Sequence, residues 1–290
     1  MEKVRVKVNG VELEINQYDK NGQTIVFLHF SGGNLAQWNG IIPYFMDNYH
    51  IVTLDLRGHG KSEKTEDGYT LDNMAVDVIE VMNELGINKA HIVGSSLGGE
   101  IAANMAARFP ERVCSIVAEG AIQNYFGKNG VCDISEEEIP NKKIELTVKR
   151  AQRITPLFES MAEKIENAKK SYEEDGVTWS KSIEEFEIYD STQLENGKYT
   201  SNCPTWVKDK YVEDFWNIKF EKYFEKIDCP VLLIPSEEEW ESEGVKITIE
   251  NYQKLLKESK VIIIPRGIHA YVEFQFPQDF SKELNKFYNA

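Results

Sequence analysis

Cysteine is scarce in this chain. There are four in 290 residues, Cys114, Cys132, Cys203 and Cys229. None are spaced as the C-x-x-C pair that marks zinc sites and dithiol redox centres. A disulfide framework and a structural metal are therefore set aside, and reduced thiols are expected. Basic charge is also short: 33 lysines and arginines face 48 aspartates and glutamates, a formal net charge of −15. Such a surface repels phosphate backbones and anionic membranes. No apolar stretch approaches the roughly 20 residues that a membrane-spanning helix needs. The first residues, Met1 to Val8, alternate charged and apolar side chains and hold no apolar run of signal-peptide length. These absences predict a cytoplasmic protein with no nucleic-acid or membrane partner, no metal and no organic cofactor. What is present suits a globular fold, with 41% hydrophobic and 28% charged residues. The length fits one large domain, or a domain carrying a sizeable insertion.

The chain opens with two alternating segments, Val4 to Val8 and Val11 to Ile15, joined by Asn9-Gly10, a strong hairpin signal. The next apolar runs are continuous instead: Thr24 to Leu28, Ile51 to Leu54, Ala90 to Val93, Val113 to Val117, Val231 to Ile234 and Val261 to Ile264. Strands read this way when helices cover both faces of a parallel sheet. Helical spacing fills the gaps over Leu71 to Leu85, Leu97 to Phe109, Val245 to Leu256 and Phe280 to Tyr288. The pattern predicts an α/β fold with a doubly wound, mostly parallel sheet. From about Gly120 to Cys203 the alternation stops. Ser135 with Glu138 has capping-box spacing, and Leu157 to Tyr172 and Ser180 to Tyr189 have helical spacing, so a helical cap insertion is expected there. The expected division is a core of residues 1–121 and 206–290 with a cap of residues 122–205.

The sharpest chemical signal is Gly94-Ser95-Ser96-Leu97-Gly98-Gly99. It holds G-x-S-x-G between a strand and a helix, the placement a nucleophile elbow requires. Ser96 would stand at a helix N-terminus, where free N–H groups favour a developing anion. A nucleophilic serine needs a base. His91 and His50 belong to strands, His29 ends one, and His59 sits in a polar turn. His269 follows the last strand and is the only histidine after Ser96, as the chain order Ser…acid…His demands. Several carboxylates could orient it: Glu237, Glu238, Glu239, Glu241 and Glu243 after one strand, or Glu119 after another. The oxyanion donors would be the Leu97 N–H and one from the turn His29-Phe30-Ser31-Gly32-Gly33-Asn34.

These segments resemble the α/β-hydrolase superfamily, in particular its cap-bearing esterase and lyase-like branch, over roughly residues 10–121 and 205–290. The motifs, in the family's order, begin with Leu28-His29-Phe30-Ser31-Gly32-Gly33-Asn34 and Asp55-Leu56-Arg57-Gly58-His59-Gly60-Lys61-Ser62. The serine motif and Pro230 to Glu239 follow, and Gly267-Ile268-His269 closes the series. The resemblance implies a Ser96–His269 hydrolase whose acid is Glu239, with Glu119 as the alternative, and whose second oxyanion donor is Ser31. Departures from the family pattern are Phe30 and Ile268 where glycine is usual, Ser95 for histidine, and glutamate for aspartate at Glu239. The function expected is cleavage of a carboxylic ester or similar acyl substrate, a small molecule, through an acyl-enzyme. C–C bond hydrolysis and thioester hydrolysis use the same triad. A non-catalytic ligand-binding protein on the same fold is the reading from another class. The aromatics of the insertion, among them Phe126, Trp179, Phe186 and Tyr189, are expected to form mostly cap core, with some lining an apolar substrate pocket.

Overall fold

The computed structural model describes residues 1–19, 22–120 and 122–289. Asn9 and Gly10 both take positive φ, 44° and 74°, and close the hairpin of β1 (Glu2–Val8) and β2 (Val11–Tyr18). β3 (Thr24–Leu28), β4 (His50–Leu54), α1 (Leu71–Glu84), β5 (Ala90–Ser95), α2 (Leu97–Arg108) and β6 (Val113–Glu119) follow. The segment after β6 holds α3 (Ile139–Ala151), α4 (Met161–Glu174), α5 (Lys181–Tyr189), the hairpin β7 (Ser191–Gln193) and β8 (Tyr199–Ser201), α6 (Thr205–Phe215) and α7 (Glu221–Phe224). The chain returns to the sheet with β9 (Val231–Ile234), then α8 (Glu237–Glu241), α9 (Glu243–Leu255), β10 (Ser259–Val261), α10 (Val272–Gln275) and α11 (Pro277–Tyr288).

Eight strands form one sheet in the order β1-β2-β4-β3-β5-β6-β9-β10. The β1–β2 and β2–β4 pairs are antiparallel, and the rest are parallel. The doubly wound, mostly parallel sheet expected from the sequence is the one observed. Its continuous apolar runs divide between two cores, because alternate residues face opposite sides. Val26, Leu28, Val52, Leu54, Ile92 and Ile116 join one cluster with α1, α2, α7 and α9. Ile25, Phe27, Ile51, Val93, Val117 and Leu232 join the other with Trp38, Phe280 and Leu284.

Three local expectations are corrected. The last strand is Ser259–Val261 rather than Val261 to Ile264, because its parallel partner β9 is only four residues long and pairs with those three. Ser135 does not cap a helix: its N–H and Oγ both bond Glu138 Oε2, and α3 begins beyond Glu138. The insertion, expected to be helical, also contains the β7–β8 hairpin. Residue 121, where the first core segment was expected to end, lies outside the described residues.

The insertion is seated on the core by apolar packing. Val177, Ile183 and Phe186 cluster with Ala36 and Phe274, and Phe30 and Tyr271 pack against them. Polar anchors add to this. Asp55, at the end of β4, accepts from Leu35 N at 2.7 Å, from Lys61 N at 2.7 Å and from the Tyr189 hydroxyl at 2.8 Å. One carboxylate thus joins the turn after β3, its own loop and α5. The same loop is tied to α1 by Arg57, whose Nε and Nη2 donate to the two Asp77 oxygens at 2.9 and 2.8 Å, with both side chains buried. Among the described residues no helix is long and apolar enough to cross a membrane.

Removing one partner of a buried ion pair leaves the other charge uncompensated, which costs about 3–5 kcal/mol. Arg57→Ala should lose stability in that range by urea denaturation. The double change Arg57→Met with Asp77→Leu should lose clearly less.

Candidate functional site

The carboxyl ends of β3, β5, β6, β9 and β10 and the loops that leave them carry the expected site residues, and this is the edge where ligands bind in open α/β sheets. The turn from β5 into α2 places Ser96 at φ 49° and ψ −113°, a backbone region that L-residues rarely occupy, at a cost of order 1–3 kcal/mol. The turn holds because nothing stands between strand and helix. A Cβ on Gly94 would lie 2.1 Å from the Gly98 carbonyl carbon, and one on Gly98 would lie 2.1 Å from the Leu28 carbonyl oxygen. Leu97 is the first residue of α2. Its N–H therefore has no partner within the helix and sits at the positive end of the helix dipole.

His269 reaches Ser96 from the far side of the sheet edge. Its Nε2 lies 3.1 Å from Ser96 Oγ, and its Nδ1 lies 2.8 Å from Glu239 Oε1. Glu239 is held in turn by a capping box at the start of α8. Ser236 N donates to Glu239 Oε2 at 2.8 Å, and Glu239 N donates to Ser236 Oγ at 3.1 Å. One oxygen therefore serves the helix cap and the other faces the imidazole. Burial lowers the His269 pKa, but the hydrogen bond and charge of Glu239, with the charges of Glu119 and Glu100 behind them, outweigh it and raise it to about 9.

Glu119 lies beneath this chain of contacts. It is fully buried, and its two oxygens accept from Ser95 Oγ at 2.5 Å and from Ala270 N at 3.0 Å. Burial first, and Glu239 less strongly, push its carboxyl up to about 7 against the opposing effects of His269, Ser95 and Ala270. It therefore ties the Ser95 side chain and the Ala270 backbone, the neighbours of Ser96 and His269. Ser95, standing where the family commonly has histidine, supplies one of its donors. Of the remaining carboxylates in the same stretch, Glu237 accepts from Arg266 N at 2.9 Å, while Glu238 and Glu241 are exposed.

The other four histidines are engaged away from Ser96. His29 Nδ1–H donates to the Phe30 carbonyl at 2.7 Å, and His29 Nε2 accepts from Leu56 N at 3.0 Å. This orders the turn after β3, and burial, with the nearby His59, holds its pKa well below the usual value. His59 bonds the Arg57 carbonyl, His91 bonds Ser115, and His50 bonds Thr24. In the turn itself, Phe30 N donates to Gln37 Oε1 at 3.1 Å and Gly33 N to the Phe30 carbonyl at 2.9 Å. Those bonds do not use the Ser31 N–H. The Phe30 ring, where glycine is usual, packs against Phe186 and Tyr271, with ring centroids 5.7 and 5.9 Å away.

Ser96 and His269 open into a cleft of about 680 Å³. Its lining differs from the expected apolar pocket. Phe126, Trp179, Phe186 and Tyr189 pack elsewhere, and Phe215 of α6 is the aromatic side chain on the cleft among the described residues. Sequence reasoning passed over two residues here. Glu100, in the first turn of α2, lines the cleft and is buried. Ser236 holds Glu239, and its S-x-x-E spacing carried the capping-box signal in plain view.

Residues 23–272 match the model of the family described as alpha/beta hydrolase fold. Among curated proteins, the chain is 39% identical over 109 residues to the dihydrolipoyllysine-residue acetyltransferase component of the acetoin cleaving system of Cupriavidus necator, covering 38% of this chain and 29% of that protein. It is 30% identical over 138 residues to 3-oxoadipate enol-lactonase 2 of Acinetobacter baylyi, covering 48% of each. The chain thus spans less than half the length of these two relatives. Among solved structures, E-2-(acetamidomethylene)succinate hydrolase superposes with a TM-score of 0.79 at 20% identity, over 100% of this chain and 99% of that one.

The steric reading of the elbow has a direct consequence. Gly98→Ala should destabilise the protein by about 3 kcal/mol, the upper end of the usual cost of overpacking, since the neighbour it meets is backbone and cannot swing aside. Chemical denaturation of the variant beside Gly33→Ala, whose nearest contact is a looser 3.0 Å, should show the larger loss at Gly98.

Proposed function

The chain belongs to the α/β hydrolase fold family, and from that premise we propose that it is a serine hydrolase cleaving a carboxylic ester or similar acyl compound through an acyl-enzyme on Ser96. The observation that carries the proposal is the unbroken contact from Glu239 through His269 to Ser96, 2.8 Å and 3.1 Å. The similarity to an enol-lactonase supports ester cleavage.

In this reaction Ser96 Oγ attacks the substrate carbonyl carbon while His269 Nε2 takes the hydroxyl proton. Glu239 accepts from His269 Nδ1–H, fixes the tautomer and stabilises the imidazolium. The carbonyl oxygen, now an anion, is met by the N–H groups of Leu97 and Ser31, each such donor contributing about 2.7–4 kcal/mol in well-studied sites. The tetrahedral species collapses, His269 returns the proton to the departing alcohol, and the acyl group stays on Ser96. Water then attacks the acyl carbon as His269 takes its proton, and a second collapse breaks the bond to Ser96 Oγ, which takes the proton back from His269 as the acid leaves. In this reading the segment from residue 122 to 205 is the cap over the site, attached through the Phe186 and Tyr189 contacts.

A fluorophosphonate probe tests the nucleophile. Mass spectrometry should find the adduct on Ser96, none in Ser96→Ala, and a rate at least about 100-fold lower in His269→Ala. A folded protein that stays unlabelled would remove the proposal.

The pH dependence follows from the raised pKa of His269. Only the neutral imidazole accepts a proton, so kcat/KM for an uncharged ester should climb with pH and reach half its maximum near 9. Glu239→Gln removes the charge that raises the pKa. Its midpoint should move down, with a lower plateau. An unmoved midpoint would mean that Glu239 does not act on the base.

A further inference from the structure

The mechanism leaves one buried carboxyl at the cleft without a role. Glu100 follows Ser96 by one turn of α2, its N–H donating to the Ser96 carbonyl at 3.0 Å. Helical side chains lean toward the N-terminus of their helix, so its carboxyl leans back toward the nucleophile, about 5 Å along the axis. The residue is 6% exposed. One carboxyl oxygen accepts the Tyr211 hydroxyl. Oε1 has no hydrogen bond among the described residues, although the residue lines the cleft.

The surroundings share one sign of charge. Asp133, Glu239 and Glu243 line the same cleft, and no lysine or arginine does among the described residues. His269, the one lining group that can turn positive, already has its charge met by Glu239. Phe215 also lines the cleft, and its ring stacks on that of Tyr211 at 5.8 Å. Carboxyl groups and an aromatic ring on one cleft are the groups that receive an organic cation. A metal ion does not fit, because among the described residues no three His, Cys, Asp or Glu side chains converge to hold one.

We propose that the cleft at Ser96 selects acyl substrates bearing an organic cation, and that Glu100 is the residue that selects them. The inference rests on the serine-hydrolase reading and adds the substrate's charge. Burial pushes the Glu100 carboxyl up to about 8, aided by Asp214 and opposed by Tyr211 and His269. A cation bound beside the carboxyl would draw it toward its ionised form.

The test uses three p-nitrophenyl esters of one shape: the cationic 4-(trimethylammonio)butanoate, the neutral 5,5-dimethylhexanoate and the anionic glutarate monoester. Acetylthiocholine and 3,3-dimethylbutyl thioacetate place the charge on the leaving side instead. In at least one set kcat/KM should be highest for the cation, and the anion should be the poorest of the acyl esters. Glu100→Gln should cut the cationic-to-neutral ratio by about tenfold or more, with the change in KM. Asp133→Asn with Glu243→Gln, both exposed positions, should cut it by less and without risk to the fold. Wild-type protein that turns over the neutral ester as well as the cationic one in both sets would overturn the inference while leaving the serine hydrolase intact. So would a folded Glu100→Gln that keeps the ratio. Calorimetry on Ser96→Ala reads the charge preference without catalysis: choline should bind more tightly than 3,3-dimethylbutanol, and equal binding overturns the proposal. Absence of both turnover and fluorophosphonate labelling would instead strike the hydrolase reading itself.

Discussion

The close approach of α2 to β3 and β5 is the constraint on which the rest of the site depends. Gly94 and Gly98 leave no side-chain volume between helix and sheet, and the chain between them turns so tightly that Ser96 takes a positive φ. Two consequences follow from one steric fact. The hydroxyl is lifted clear of the sheet edge, and the first free N–H groups of α2 are placed beside it. The strain at Ser96 is held by its surroundings: Ser96 N donates to the Glu119 carbonyl at 2.9 Å, and the Glu119 side chain holds Ser95 and Ala270.

Around this elbow the structure uses carboxylates to position backbone as well as to set charge. Asp55 gathers three segments, Glu119 pins two, and Glu239 divides its oxygens between a helix cap and His269. The last arrangement couples helix formation to the site. α8 is five residues long, too short to be stable by itself in water, and its capping box fixes it where Glu239 meets His269. An acid-rich chain thereby surrounds His269 with the carboxylates of Glu239, Glu119 and Glu100, whose charges favour the protonated imidazole.

The insertion shows how local sequence and tertiary context diverge. Ser135 and Ser236 are each followed three residues later by a glutamate, with the same capping-box spacing. At Ser236 the helix begins at once and the box closes. At Ser135 the bonds form within a turn and the helix starts later. The aromatics of the insertion follow the same rule. Hydrophobicity made them core candidates, and packing decided which core they entered: Trp179, Phe186 and Tyr189 joined Phe30, Tyr271 and Phe274, while Phe126 joined Tyr125 and Trp216.

The amino-acid sequence by itself determined the sheet, the hairpin and the elbow, because each rests on a short-range property: doubly covered strands need continuous apolar residues, an Asn-Gly turn accepts positive φ, and crowded backbones require glycine. It also singled out Ser96 and His269, since chain order and the strand-to-helix placement are linear facts. Residue order alone left several carboxylates of a glutamate run open, with the family resemblance pointing to Glu239, and it could not show which of them meets His269. Helix geometry did that, by turning Glu239 back onto the Ser236 N–H and toward His269 while Glu238 and Glu241 face outward. Nor could it show that Glu100, one more charged residue on a helix, is buried one turn from Ser96 with Tyr211 against it. That depends on where α6 comes to rest, more than a hundred residues along the chain, and burial of a charge is decided by the partners that the folded chain brings to it.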